Sequence, residues 1–153
     1  MATGRRVAFR NWQRRFRLPV EAFRSLVRSA LPVVGAEDAR LTVVFCTPER
    51  IRQLNRDYRG IDEPTDVLSF PDGERDEDGC TYLGEVFIAP AVAWANARED
   101  GTPFGRELAE LHLHGLLHLL GHDHESDTGQ MLALQRSLAG RLRPLTPEVD
   151  PAG

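Results

Sequence analysis

His114 and His118 stand four residues apart, a spacing that puts both side chains on one face of a helix, one turn above the other. Two imidazoles so placed can meet one metal ion. Gly121 follows three residues later, where a left-handed residue can end the helix and turn the chain back, and His124 lies just past that turn. A third nitrogen donor from the loop completes three protein ligands and leaves one coordination position open. That is the arrangement of a catalytic zinc site, whereas a structural site is closed by four protein ligands. Cys46 and Cys80 are not spaced to supply such a closed site. A lone histidine among leucines would read as a core residue; three at this spacing, around a helix-ending glycine, point to a metal. Three imidazoles would also accept nickel or copper.

The neighbours extend this reading. Leu113, Leu116, Leu117, Leu119 and Leu120 make the segment apolar nearly all round, as expected of a central helix. His112, two residues from His114, points to the other side and is expected to be structural. His122 faces away if His124 faces in, and is either a group supporting the metal or substrate, or neither. Asp123 could orient a ligand imidazole by accepting its other N–H. The histidines and glycine match the metzincin spacing H-E-x-x-H-x-x-G-x-x-H, but Gly115 occupies the position of the general-base glutamate. The metal frame is kept and the peptidase base is not.

Other segments must position this helix. Pro19 starts a helix whose apolar residues Val20, Phe23, Leu26, Val27 and Ala30 follow helical spacing up to Pro32. Val7 and Phe9 read as a strand before it. Leu41 to Cys46 reads as a short strand buried on both faces. Thr47-Pro48 caps a helix with Ile51, Leu54 and Tyr58 as its apolar positions. Asp66 to Phe70 reads as a second buried strand closed by Pro71. An acidic loop follows to Cys80, and Tyr82 to Ala89 resumes as a strand, so this pair is expected to be an antiparallel hairpin. Pro90 opens a helix ending near Gly101, Thr102-Pro103 opens the histidine helix, and Asp127 caps a last one carrying Met131, Leu134, Leu138 and Leu142 before Pro144. The expected fold is a single α+β domain over residues 1–153. It has a small mixed, mostly parallel sheet with one antiparallel strand, helices packed around it, and a frayed tail at about 144–153.

Composition narrows the function classes. The chain has 153 residues, 41% hydrophobic and 27% charged, which fits one domain with an ordinary core and no low-complexity tract or repeat. Its longest apolar run, Leu41 to Cys46, falls far short of the ~18 residues of a membrane helix. No secretory stretch stands at the start, and two cysteines build no disulfide framework, so the cytoplasm is the expected setting. The net charge of −4 hides a division, because all 19 basic residues are arginine. Residues 1–59 hold 13 arginines against five acids, a net of +8, and residues 60–153 hold six against 18, a net of −12. A basic first part suits an anionic partner whatever the total charge, although arginine runs also serve simply as solvated surface.

Residues His114-Gly-Leu-Leu-His-Leu-Leu-Gly-His-Asp-His124 carry the pattern H-G-x-L-H-L-x-G-x-D-H intact, and in this the chain resembles the YbeY-type endoribonucleases. Leu54-Asn-Arg-Asp-Tyr-Arg59-Gly60, then Pro64-Thr-Asp-Val-Leu-Ser-Phe-Pro71, matches as well, and Gly84-Glu-Val-Phe-Ile88 matches more weakly. The resemblance spans roughly Leu41 to Leu138; His122 stands where the family often has tyrosine. It implies one Zn2+ per chain, held by His114, His118 and His124, with Arg59 as the functionally important arginine. It also implies single-stranded RNA as substrate, maturation of the 16S rRNA 3′ end, ribosome quality control, and the small ribosomal subunit with its assembly factors as partners, with neither DNA nor membrane involved.

Those roles agree with the residues' chemistry. Zinc draws a nucleophile from water near neutral pH and polarises a phosphoryl oxygen. Arginine, always charged, can bind two phosphate oxygens at once. Ser69 either lines the groove or is an ordinary strand residue. Two other readings share the metal site: a metzincin-like zinc peptidase, and a non-catalytic ribosome-assembly factor whose metal holds the fold.

Overall fold

The computed structural model describes residues 6–75, 79–122 and 129–152. The β-branched run at the middle of the first half becomes the strand around which the sheet is built. Strand β1 (Val7–Asn11) and strand β2 (Arg40–Phe45) pair in parallel, joined over the sheet by helix α1 (Val20–Val33). Helix α2 (Pro48–Arg59) and strand β3 (Val67–Arg75) then intervene before strand β4 (Thr81–Ile88), which runs parallel to β2 and antiparallel to β3. The order across the sheet is β1-β2-β4-β3, the mixed and mostly parallel arrangement expected from the sequence. Helices α3 (Pro90–Asp100), α4 (Phe104–Leu119) and α5 (Gln130–Arg141) complete the chain, with a 3-10 turn at Arg143–Leu145.

Alternation along the strands sends two sets of side chains to opposite faces. Leu41, Val43 and Phe45 of β2 and Val86 and Ile88 of β4 point to the main core, where they meet Phe23, Leu26 and Val27 of α1 and the leucines of α4. Val44, Phe87 and Leu68 point the other way and are covered by Ile51 and Leu54 of α2. Every residue from Leu41 to Cys46 is therefore buried. Helix α4 is the central one, buried along most of its length and packed against α1, α3, α5, β3 and β4.

Four local expectations are corrected. Strand β3 does not close at Pro71 but continues to Arg75, through a register break between Pro71 and Glu74. It is an edge strand, where a proline removes no essential ladder bond. Tyr58 shares the helical spacing of Ile51 and Leu54, yet it is 70% exposed, its ring set against the partly buried Phe70 on the edge strand β3. Helix α1 continues through Pro32 to Val33, since Val34 N–H still bonds Ala30 O. The tail expected to be frayed instead packs at the start of α4: a Cβ added to Gly105 would sit 1.9 Å from Pro147 O, and Val149 packs on the core. Asp127, expected to cap the last helix, lies outside the described residues.

Candidate active site

The histidine helix ends as its glycine requires. Gly121 adopts φ 95°, its N–H bonds His118 O at 3.0 Å, and His122 N–H bonds Leu117 O at 3.0 Å. This paired closure uses the last carbonyls of α4 and fixes the direction in which the chain leaves. One turn before it, the rings of His114 and His118 lie with centroids 4.6 Å apart at 63°. Both are half-buried on the wall of a cleft of about 460 Å³, whose lining includes Arg59, Asp66, Ser69 and His122.

A residue that sequence reasoning missed holds the first of these rings. Gln135 on α5 places Oε1 2.8 Å from His114 Nδ1. An amide oxygen only accepts, so Nδ1 carries a hydrogen, and in the neutral ring Nε2 is then the nitrogen whose lone pair a metal can take. Metal-binding imidazoles are commonly fixed in this way through their second nitrogen. The signal was invisible in sequence because α4 and α5 meet only through the tertiary fold.

His112 is the contrast. It is 1% exposed, its Nδ1 bonds Leu108 O at 2.7 Å, and its ring stacks on Phe23 with centroids 4.4 Å apart at 9°. Burial pushes its pKa down to about 4, so the ring is neutral and is a core group, as expected.

Gly115, between the two cleft histidines, lies tight against the sheet. A Cβ there would lie 2.4 Å from Val86 Cγ1 and 3.3 Å from Ser69 Oγ. The position that carries glutamate in metzincins is therefore closed to any side chain. Ser69 Oγ donates to Gly115 O at 3.1 Å, so its hydroxyl proton ties β3 to α4.

Arg59, at the end of α2, lines the same cleft. Thr47 accepts from Arg50 N–H at the start of α2, and Gly60, at φ 72°, ends that helix one residue after Arg59. The following loop is tied back twice. Arg52 binds Asp62 through Nε–Oδ1 at 2.8 Å and Nη2–Oδ2 at 3.2 Å, and buried Asn55 donates to Glu63 O at 2.9 Å. The guanidinium hydrogen-bonded to Asp62 holds that carboxyl below its usual range. Other arginines of the basic first part are already engaged: buried Arg24 bonds Val7 O and Glu21, and Arg56 binds Asp57. Arg59 reaches the cleft with no carboxylate partner among the described residues. Asp66, which also lines the cleft, accepts from Asn96 Nδ2 at 3.3 Å.

Of the sequence-derived site residues, the structure brings His114, His118 and Arg59 to one cleft, together with His122 and Ser69. His124 and Asp123 lie outside the described residues. Among the described residues no group of three potential ligands forms a metal cage. The donors that are described suit zinc: two imidazoles on successive turns, one with its tautomer fixed by Gln135.

Fold and site together define a class: a small α+β domain whose central helix carries an imidazole pair in a cleft that an arginine also lines. Comparison with known proteins agrees. A family model described as Endoribonuclease YbeY matches residues 8–143. Endoribonuclease YbeY of Bacillus cytotoxicus is 42% identical over 132 residues, covering 79% of this chain and 85% of that one. The protein of the same name from Geobacillus thermodenitrificans is 43% identical over 133 residues, covering 80% and 85%. A solution structure of a Thermotoga maritima protein superimposes with TM-score 0.62 at 29% identity, covering 90% of this chain and 89% of the other. The chain belongs to the endoribonuclease YbeY family.

Proposed function

We propose that this protein is a single-strand-specific, zinc-dependent endoribonuclease that acts in 16S rRNA 3′-end maturation and ribosome quality control on the small ribosomal subunit. As a member of its family the chain is an endoribonuclease. The observation that supports the finer reading is the cleft that His114 and His118 share with Arg59, which forms no ion pair among the described residues. A phosphodiester brings one negative charge into that cleft and gains another as it is cleaved, and a guanidinium fixed at a capped helix end is suited to receive both.

His114, His118 and His124 would hold the zinc. Its chemistry when bound is Lewis-acid polarisation and a lowered pKa for water. The chain's own groups do the rest. Gln135 keeps the hydrogen of His114 on Nδ1, Arg59 orients the phosphate, and the loop held by Arg52–Asp62 and Asn55 keeps Arg59 in place. Ser69 donates its hydroxyl hydrogen bond to Gly115 O and ties β3 to α4.

The test is hydrolysis of unstructured RNA by the wild type, His114→Ala and Arg59→Ala, purified side by side, with and without chelator. Cleavage by the wild type alone, lost on metal removal and restored by zinc, is the expected result. Undiminished cleavage after verified metal removal, or full activity in His114→Ala, would overturn the reading.

A further inference from the structure

Tyr58 is the most exposed of the large hydrophobic side chains among the described residues, and no packing role accounts for it. Its ring is nonetheless held in place. It meets Phe70 edge-on with centroids 5.1 Å apart at 64°, and Phe70 meets Phe87 at 5.5 Å and 82°. Phe87 is buried with Val44, Ile51, Leu54 and Leu68 beneath α2. The tyrosine thus stands on a firm base while most of its surface faces solvent.

Its position relates it to the cleft. Arg59, the next residue, lines the cleft; Ser69, the residue before Phe70, lines it from the core-facing side of β3. Phe70 points to the other side of the same strand, and β3 is the sheet edge. A polymer leaving the cleft past Arg59 and around this edge meets Tyr58 next. Helix α2 itself carries Arg50, Arg52, Arg56 and Arg59 against Glu49 and Asp57; Arg52 and Arg56 are held by Asp62 and Asp57, which leaves Arg59 as the cation next to the ring. An aromatic ring next to an arginine that forms no ion pair among the described residues has the chemistry that single-stranded nucleic acid requires. The arginine takes a phosphate and the ring takes the flat face of a base.

We propose that Tyr58, braced by Phe70, is a base-stacking platform for the nucleotide adjoining the phosphate at Arg59. The proposal rests on the RNA-cleaving function given above and adds to it how the strand is gripped outside the reacting centre. Stacking uses a face that every base has, so the grip tolerates any sequence while requiring an unpaired strand.

Binding of short 2′-O-methylated oligo(A) to the metal-loaded protein, followed by fluorescence anisotropy across a salt series, tests it. Tyr58→Ala is expected to weaken binding by about tenfold with the salt slope unchanged, and Tyr58→Trp to restore it. Arg59→Ala should instead lower the slope by about one. On a strand with abasic sites, wild type and Tyr58→Ala should bind alike. Wild-type affinity in Tyr58→Ala, or an equal loss on intact and abasic strands, would overturn the platform. So would unchanged RNA affinity coupled to loss of association with ribosomal proteins, which would assign the ring to a protein partner. If the wild type binds no RNA at all and Arg59→Ala changes nothing, the RNA-cleaving reading falls, and the platform with it.

Discussion

Gln135 Oε1 lies 2.8 Å from His114 Nδ1, so α5 sets the tautomer of a histidine on α4. Loss of this contact should act on the metal before it acts on the fold. Gln135→Leu is expected to weaken zinc affinity by about 10–100-fold, measured by competition with a chromogenic chelator, while Gln135→Glu, which still accepts, keeps most of it. Equal affinities in wild type and Gln135→Leu would remove Gln135 from the site.

Gly115 answers to packing. Gly115→Ala gains about 1 kcal/mol in helix propensity but drives its methyl into Val86. The clash should win, for a net loss of about 1–2 kcal/mol in urea unfolding. Adding Val86→Ala should relieve the clash, so the double variant should be more stable than the two separate losses predict. Additive losses would show that Gly115 and Val86 do not press on each other.

Arg59→Ala should remove phosphate orientation without unfolding the chain, since the side chain is exposed and has no carboxylate partner among the described residues. RNA cleavage is expected to fall by about 10²-fold or more, with the unfolding midpoint within about 0.5 kcal/mol of wild type. Equal cleavage by the two proteins would place the essential cation elsewhere.

Cys46 should be chemically silent in the folded protein. Burial pushes its thiol up to about 12, so at pH 8 it holds its proton and its sulfur is out of reach. Half-buried Cys80 is the thiol expected to react with a disulfide reagent, the second appearing only on unfolding. Two fast-reacting thiols in the native protein would contradict this packing.

Much of this architecture was legible in the residues, and the exceptions share a cause. The run Leu41–Cys46, the Thr47-Pro48 cap and the glycine after His118 are local signals, and each appears where its chemistry requires. Tyr58 misled because helical spacing states which side chains share a face, not how deeply each is covered, and here only an edge-strand ring lies against it. Pro71 misled because only the strand order shows that β3 is an edge. Two cleft histidines were readable from spacing, but Gln135 and Asn55 were not, since each meets its partner through packing between separate segments.

The tight seam at Gly115 also bears on ancestry. The chain shares its histidine spacing with metalloproteases, and a single codon change could write glutamate at position 115. Such a protein would inherit a collision with Val86 and Ser69 before it gained any proteolytic base. A lineage could cross only after β4 and β3 had first yielded space, through steps that bring no new activity by themselves. The two chemistries are neighbours in motif and distant in mutational path.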